Sequence, residues 1–256
     1  MILHPYGNGL VALAQSAHAF LAFQVAEHWG NRLTPRPSPR AEVLAAALLH
    51  DAGWDGHEEP LRLAADGRPL AFDTLPSEER EVVWTSGVER AGLRGRYVAY
   101  LVSHHVSALA TFNPDHVHRD FLARQDALRT RLRGELALDP RYAAALATGP
   151  DEVNRAVVRL ADAIAVYLAS GREGTERFPG LPRRGGSAPL VLSEVSERTY
   201  RLRPWPLVGN RLAVSAEGRL LPARSFPDAA SLATAWQEAT TVRLTWTLLA
   251  TGARSD

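Results

Sequence analysis

The chain contains no cysteine. Disulfides, iron–sulfur clusters and thiolate zinc sites are therefore excluded, and any bound metal would rest on nitrogen and oxygen ligands alone. Lysine is absent as well: every basic side chain is Arg. That removes Schiff-base chemistry and the phosphate-binding lysine of a P-loop. An excess of one sign of charge is also lacking. With a net charge of +1 over 256 residues, no strong field draws the chain to nucleic acid or to a membrane surface. No apolar run reaches the roughly 20 residues of a membrane span. The first residues show no basic segment leading into an apolar one, so no signal peptide is expected. These absences together predict a soluble cytoplasmic protein. An apolar content of 46% supports a real core, and the length suits one large domain or a domain with an appendage.

What is present centres on one stretch. Val43 to Leu49 is wholly apolar and runs into His50-Asp51, with Gly53 two residues on. A helix apolar on every side is buried, so an imidazole and a carboxylate are delivered to a buried helix end. Burying a carboxylate costs several kcal/mol, on the order of the desolvation of an ion, unless something pairs with it. A cation is the strongest partner, and His with Asp is a typical ligand pair. A helix cap or a surface salt bridge is the plainer role for a His-Asp pair, so the metal assignment needs further ligands.

Three other helices offer them. Between Gly9 and Gly30, Ala14, His18, Leu21 and Val25 fall on one line. His18 is either a core histidine bonded to a carbonyl or a ligand; His28 is assigned to capping before Gly30. A second helix, from about Leu93 to Leu109, puts His105 on the apolar line of Val98, Leu101, Val102 and Leu109. His104 lies about 100° around the helix from it. A third, Asp151 to Ser170, sets Asp162 among Val158, Ala165, Val166 and Ala169, where it requires a cation. That cation is an Arg or a metal. One metal shared by His18, His50, Asp51 and Asp162 accounts for all four buried polar groups.

The remaining segments read more plainly. Asn31 to Arg40 and Gly53 to Pro76 are loops; the second carries Trp54, Asp55, His57, Glu58 and Glu59, of which Glu58 and Glu59 read as a solvated acidic turn. Ser77 starts a helix that ends near Gly92. Asn113 to Glu135 opens on a Pro114-Asp115 turn and becomes a charged helix, with His116 and His118 read as surface. Gly171 to Pro189 reads as a linker. Beyond it, 199–202, 211–214 and 220–223 resemble short strands, the last two joined as a hairpin at Glu217-Gly218. Asp228 caps a helix to about Glu238, and Thr241 to Ala250 alternates like a strand. The expected fold is therefore mainly α: a helical bundle over 1–185, with a small C-terminal α/β appendage over 186–256.

The order His18, His50-Asp51, His104-His105, Asp162, each on its own helix, resembles the HD superfamily of metal-dependent phosphohydrolases. So do the local strings HAFLAFQVAEHWG from His18 to Gly30, LLHDAG from Leu48 to Gly53 and LADA from Leu160 to Ala163. The whole chain, with its Pro204-Trp205-Pro206 stretch, is similar to an uncharacterised bacterial family of HD-like proteins. Two positions depart from the cyclic-dinucleotide type: Trp54 stands where a Lys often follows the turn, and the next helix offers Trp84, Ser86 and Gly87 in place of a His.

The resemblance implies an HD-type helical bundle and hydrolysis of a nucleotide or other small phosphate ester by a metal-activated water. It implies His18, His50, Asp51, His105 and Asp162 as metal ligands, and Asp51, His104 and His105 as catalytic groups. Trp54 and His57 become candidate substrate contacts. The cofactor would be one divalent transition ion (Mn, Fe, Zn, Ni or Co), with a second if His104 and His105 join. The expected partner is a small phosphorylated molecule, without nucleic acid or membrane, and a homo-oligomer is compatible with the composition. Two alternatives stand beside this: an HD-fold di-iron oxygenase, and a non-catalytic ligand-binding or regulatory relative.

Overall fold

A computed structural model describes residues 1–58, 61–112 and 118–253. Its first elements are strands: β1 (Ile2–Tyr6) and β2 (Gly9–Leu13) form a hairpin. Helix α1 (Gln15–Glu27) follows, then α2 (Arg40–Leu49), whose last residue precedes His50-Asp51. Ala52–Trp54 makes a single 3-10 turn, and Phe72–Thr74 another. The helical part continues with α3 (Ser77–Gly92), α4 (Arg96–Thr111), α5 (Arg119–Ala137), the short α6 (Pro140–Ala143) and the long α7 (Thr148–Ala169). Then come β3 (Thr175–Arg183), β4 (Gly186–Ser196), β5 (Thr199–Arg203), β6 (Arg211–Leu221), α8 (Ala229–Glu238) and β7 (Thr241–Leu249).

The strands form one curled, seven-stranded sheet in the order β1-β2-β6-β7-β5-β4-β3. Every neighbouring pair is antiparallel except β5 and β7. This overturns the mainly α expectation and the description as all-α. The molecule is 47% helix and 24% strand, an α/β fold. The β part is no small appendage either. The N-terminal hairpin joins the same sheet through Leu10 opposite Leu221, and one hydrophobic core runs from Val11 and Leu21 through Tyr97 and Leu160 to Leu190 and Trp246.

The differences have local causes. Gly9 to Leu13 was expected to be helical because its apolar run continues into α1 without a change of period. It is instead a strand buried on both faces, a pattern that periodicity alone does not separate from a buried helix. The expected linker after Gly171 is the β3–β4 hairpin. Its glycines serve a bulge beside Gly180 (φ 76°) and a tight turn at Gly185 (φ 91°). The expected hairpin at Glu217-Gly218 is instead the middle of the continuous strand β6. Gly218 lies where β2 comes close: a Cβ there would meet the Ala12 carbonyl oxygen at 2.7 Å.

Two contacts fix the helices to the sheet. β2 pairs with β6 only at its far end, Arg219 to Leu221. Further along, the Gln24 carboxamide on α1 takes the place of a strand. Its Nε2 donates to the Ser215 carbonyl at 2.8 Å, and its Oε1 accepts from the Ser215 amide at 3.0 Å. At the end of α1, Gly30 donates to the Pro206 carbonyl at 2.9 Å, and Val208 donates to that of His28 at 2.8 Å. Helix α1 is thereby held by the sheet, with His18 on the opposite, helix-facing side. Among the described residues no helix is long and apolar enough to cross a membrane.

Candidate metal centre

Four elements converge on one point. His18 comes from α1, His50 caps the end of α2, Asp51 begins the following turn, and Asp162 lies two turns from the end of α7. The Gly53 turn sets the angle between His50 and Asp51. It packs so closely on α3 that a Cβ at Gly53 would collide with the Val83 carbonyl oxygen and lie 2.7 Å from the Gly87 amide. Gly87, one of the three residues that the next helix offers in place of a His (with Trp84 and Ser86), packs on this turn: a Cβ there would lie 3.3 Å from the Gly53 amide nitrogen.

The polar atoms are tightly grouped. His18 Nε2 is 2.9 Å from Asp162 Oδ1 and 3.2 Å from His50 Nε2. His50 Nε2 is 3.2 Å from Asp162 Oδ1 and 3.3 Å from Asp51 Oδ2. One ligand atom from each of the four residues lies within 4.8 Å of the others, so the cluster could hold a metal ion. Metal–ligand bonds of about 2.0–2.2 Å place neighbouring donors roughly 3–4 Å apart, which matches this spacing. His50 Nδ1 donates to the Ala47 carbonyl at 2.8 Å, which leaves the Nε2 lone pair for the cluster when the ring is neutral. Two imidazole nitrogens and two carboxylates suit a transition ion, and the residues present fit one.

The electrostatics agree. Burial opposes a charged His50, but the Asp51 and Asp162 carboxylates outweigh it and hold its pKa well above the ordinary imidazole value. Burial likewise opposes ionisation of both carboxylates. The His50 and His18 rings overcome it, leaving Asp51 below and Asp162 well below the usual range. Arg, the other partner considered for Asp162, is not among its ion-pair partners in the described residues; those partners are His18, His50 and His105.

His105 stands beside the four. Its Nε2 is 3.7 Å from Asp162 Oδ2 and its ring packs edge-on against His50. Neither ring nitrogen has a hydrogen-bond partner, and burial pushes its pKa down to about 4. His104 turns away and packs edge-on against Tyr100, its ring centroid 4.6 Å from that of the tyrosine. Burial, with Arg155, Arg129 and Arg133 nearby, pushes its pKa down to about 3.

A cavity of about 160 Å³ opens directly on the cluster, lined by Asp51, Asp162, Gln15, Trp54, Arg80 and Trp84 among others. Trp54 therefore faces the centre, whereas His57 lines a separate small recess behind it. Sequence reasoning missed Gln15 and Arg80. Gln15 is almost fully buried and its Oε1 has no partner. The signal was its position one turn before His18 on the same helix face. Arg80 Nε donates to the Leu75 carbonyl and Nη2 to that of Asp73. Of its five N–H donors, this leaves others for the cavity.

Of the remaining expectations, Glu58 is not a free surface acid: it accepts from the Gln15 amide at 3.2 Å. His118 is buried, not surface, with Nδ1 2.7 Å from Glu81 Oε1. Glu59, the Pro114-Asp115 turn and His116 lie outside the described residues.

A family model described as a protein of unknown function, DUF3891, matches residues 1–223. The chain belongs to that family. The match takes in the four cluster residues, both cavity residues that sequence reasoning missed, and most of the sheet to the end of β6. No curated protein and no solved structure matches the chain.

Proposed function

We propose that this DUF3891 protein is a metal-dependent phosphohydrolase of the HD type, acting on a small phosphate ester. The observation that carries the proposal is the cavity wall: two carboxylates that belong to a four-residue ligand cluster face the same small space as an arginine. His18, His50, Asp51 and Asp162 would hold the ion. When bound there, a divalent ion supplies a lowered water pKa and polarisation of a phosphoryl oxygen.

The chain's own residues do the rest. Arg80, anchored by two backbone carbonyls, points its remaining donors at an anionic oxygen in the cavity and orients the ester. Trp54 and Trp84 shield the space from bulk water, which strengthens every charge interaction inside it. Gln15 Oε1 accepts from a water or a substrate hydroxyl. Asp51, the least buried of the four, would orient the attacking water and take its proton through the carboxylate oxygen that does not hold the ion. His105 lies on the far side of Asp162, its Nε2 3.7 Å from that carboxylate's second oxygen.

The test is hydrolysis of a panel of nucleotides and phosphate monoesters by metal-loaded protein, with phosphate release as the readout. Turnover that needs the metal supports the proposal. A metal-loaded protein inactive across the panel sinks it; oxygen uptake with bound iron would instead favour the oxygenase reading.

A further inference from the structure

A large concavity lies on the other side of His105. It holds about 990 Å³ between the loop before α2, the helices α4 and α7, and the β3–β4 turn. Four arginines line it, Arg36, Arg155, Arg159 and Arg183, against a single carboxylate, Glu152. For a chain with a net charge of +1, this is a strong local concentration of one sign. Its volume lies at the upper end of the roughly 300–1,000 Å³ typical of small-molecule pockets.

The four guanidinium groups differ in their engagement. Arg155 is shared with Asp151, at 3.1 Å. Arg159 has no carboxylate partner among the described residues. It is fixed instead by the Pro179 and Gly180 carbonyls at the β3 bulge, 2.8 and 3.3 Å away. The side chains of Arg36 and Arg183 make no hydrogen bond or ion pair with any described residue. Buried at the inner wall is His105, 4% exposed, with neither ring nitrogen partnered. Pro35, Pro150 and Val153 add apolar surface to the walls. Planar forks, two of them without a partner, around an apolar-walled cleft match an organic molecule bearing phosphates, which guanidinium binds in a bidentate manner.

We propose that this cleft is a second binding site, separate from the metal centre, for a small organic anion carrying two or more phosphate groups. Four arginines along one cleft offer more forks than one phosphate can engage, so the site favours linked phosphates over a single one. Nothing in it depends on the metal, because its charged side chains all come from outside the ligand cluster.

The probe is inorganic pyrophosphate, titrated calorimetrically into the full chain, with inorganic phosphate in parallel. The titrations run on chelator-treated and on metal-loaded protein. The expected result is pyrophosphate binding in both, tighter than phosphate. It should weaken at least about tenfold in the double variant Arg36→Gln/Arg183→Gln, the size of losing one charge-assisted hydrogen bond. That variant should keep the wild-type melting temperature, since neither guanidinium holds another residue and Gln keeps the Cβ and Cγ with which Arg36 packs on Gly30. Three outcomes each overturn the proposal: no pyrophosphate binding, equal binding by the double variant, or binding that appears only with metal. The last would put the anion at the metal centre instead. Phosphate binding as tightly as pyrophosphate would overturn the assignment to a multiply charged ligand.

Discussion

The Nε2 atoms of His18 and His50 face each other at 3.2 Å, and both lie within 3.2 Å of the same oxygen of Asp162. Only one hydrogen fits between two such nitrogens. Whatever sits there, a proton or a metal ion, is shared, and the two compete for the same lone pairs.

That competition has a signature in stability. The raised pKa of His50 is a contribution to folding that is fully present below its unfolded value, about 6.5, and lost as pH rises through the folded value. Asp162 has the opposite sign: its contribution is present above about 3.9 and lost as pH falls through its depressed value. Metal-free protein should therefore melt at a lower temperature in alkaline than in neutral buffer. A divalent ion should restore most stability at the alkaline end. Thermal melts across pH with and without chelator check this; a metal-free melting temperature unchanged from neutral to alkaline pH contradicts it.

Gly53→Ala should cost about 1–3 kcal/mol, the usual price of overpacking a filled site. The new methyl meets the Val83 carbonyl and pushes the turn off α3. Because that turn sets Asp51 against His50, the variant should also bind metal more weakly. Urea denaturation and metal titration read the two effects separately. Wild-type stability would mean that the turn tolerates a shift.

Gln24→Ala removes the carboxamide that completes the free edge of β6 at Ser215. Two backbone groups lose their partner, so we expect a loss of about 1–3 kcal/mol by chemical denaturation. Hydrogen exchange at the Ser215 amide should accelerate. Unchanged protection there would show that water replaces the side chain without cost.

Arg80→Gln tests the proposed ester-binding role. Removing one oriented cationic donor from such a site typically costs about 10²–10³ in rate. Activity on the best phosphate ester should fall by about that factor while metal content stays at the wild-type level. A parallel loss of metal would show that Arg80 supports the cluster rather than the substrate.

The ligand helices were legible because each carries its polar residue inside a regular apolar period, as His18 does in α1 and Asp162 in α7. The sheet was not, because its decisive pairing is non-local: Leu10 meets Leu221 only once the chain has folded around the helices. Gly180 and Gly185 misled for a related reason. Glycine marks a linker and a bulged hairpin alike, and only the partner strand tells them apart. Within the site, His18, His50, Asp51 and Asp162 could be grouped from sequence by their shared need for a cation. Arg80 could not, since an Arg near a helix start is an ordinary surface residue until packing turns it inward; Gln15 offered only its place one turn before His18.

The most direct test is elemental analysis of purified protein beside its Asp51→Ala variant, each after exposure to a mixture of divalent transition ions and desalting. The account predicts about one bound ion per wild-type chain, as four ligands from one cluster imply, and loss of that ion in a variant that still folds by circular dichroism. Wild-type protein that takes up no metal, or a folded variant that retains it fully, would contradict the assignment of these four residues as a metal centre.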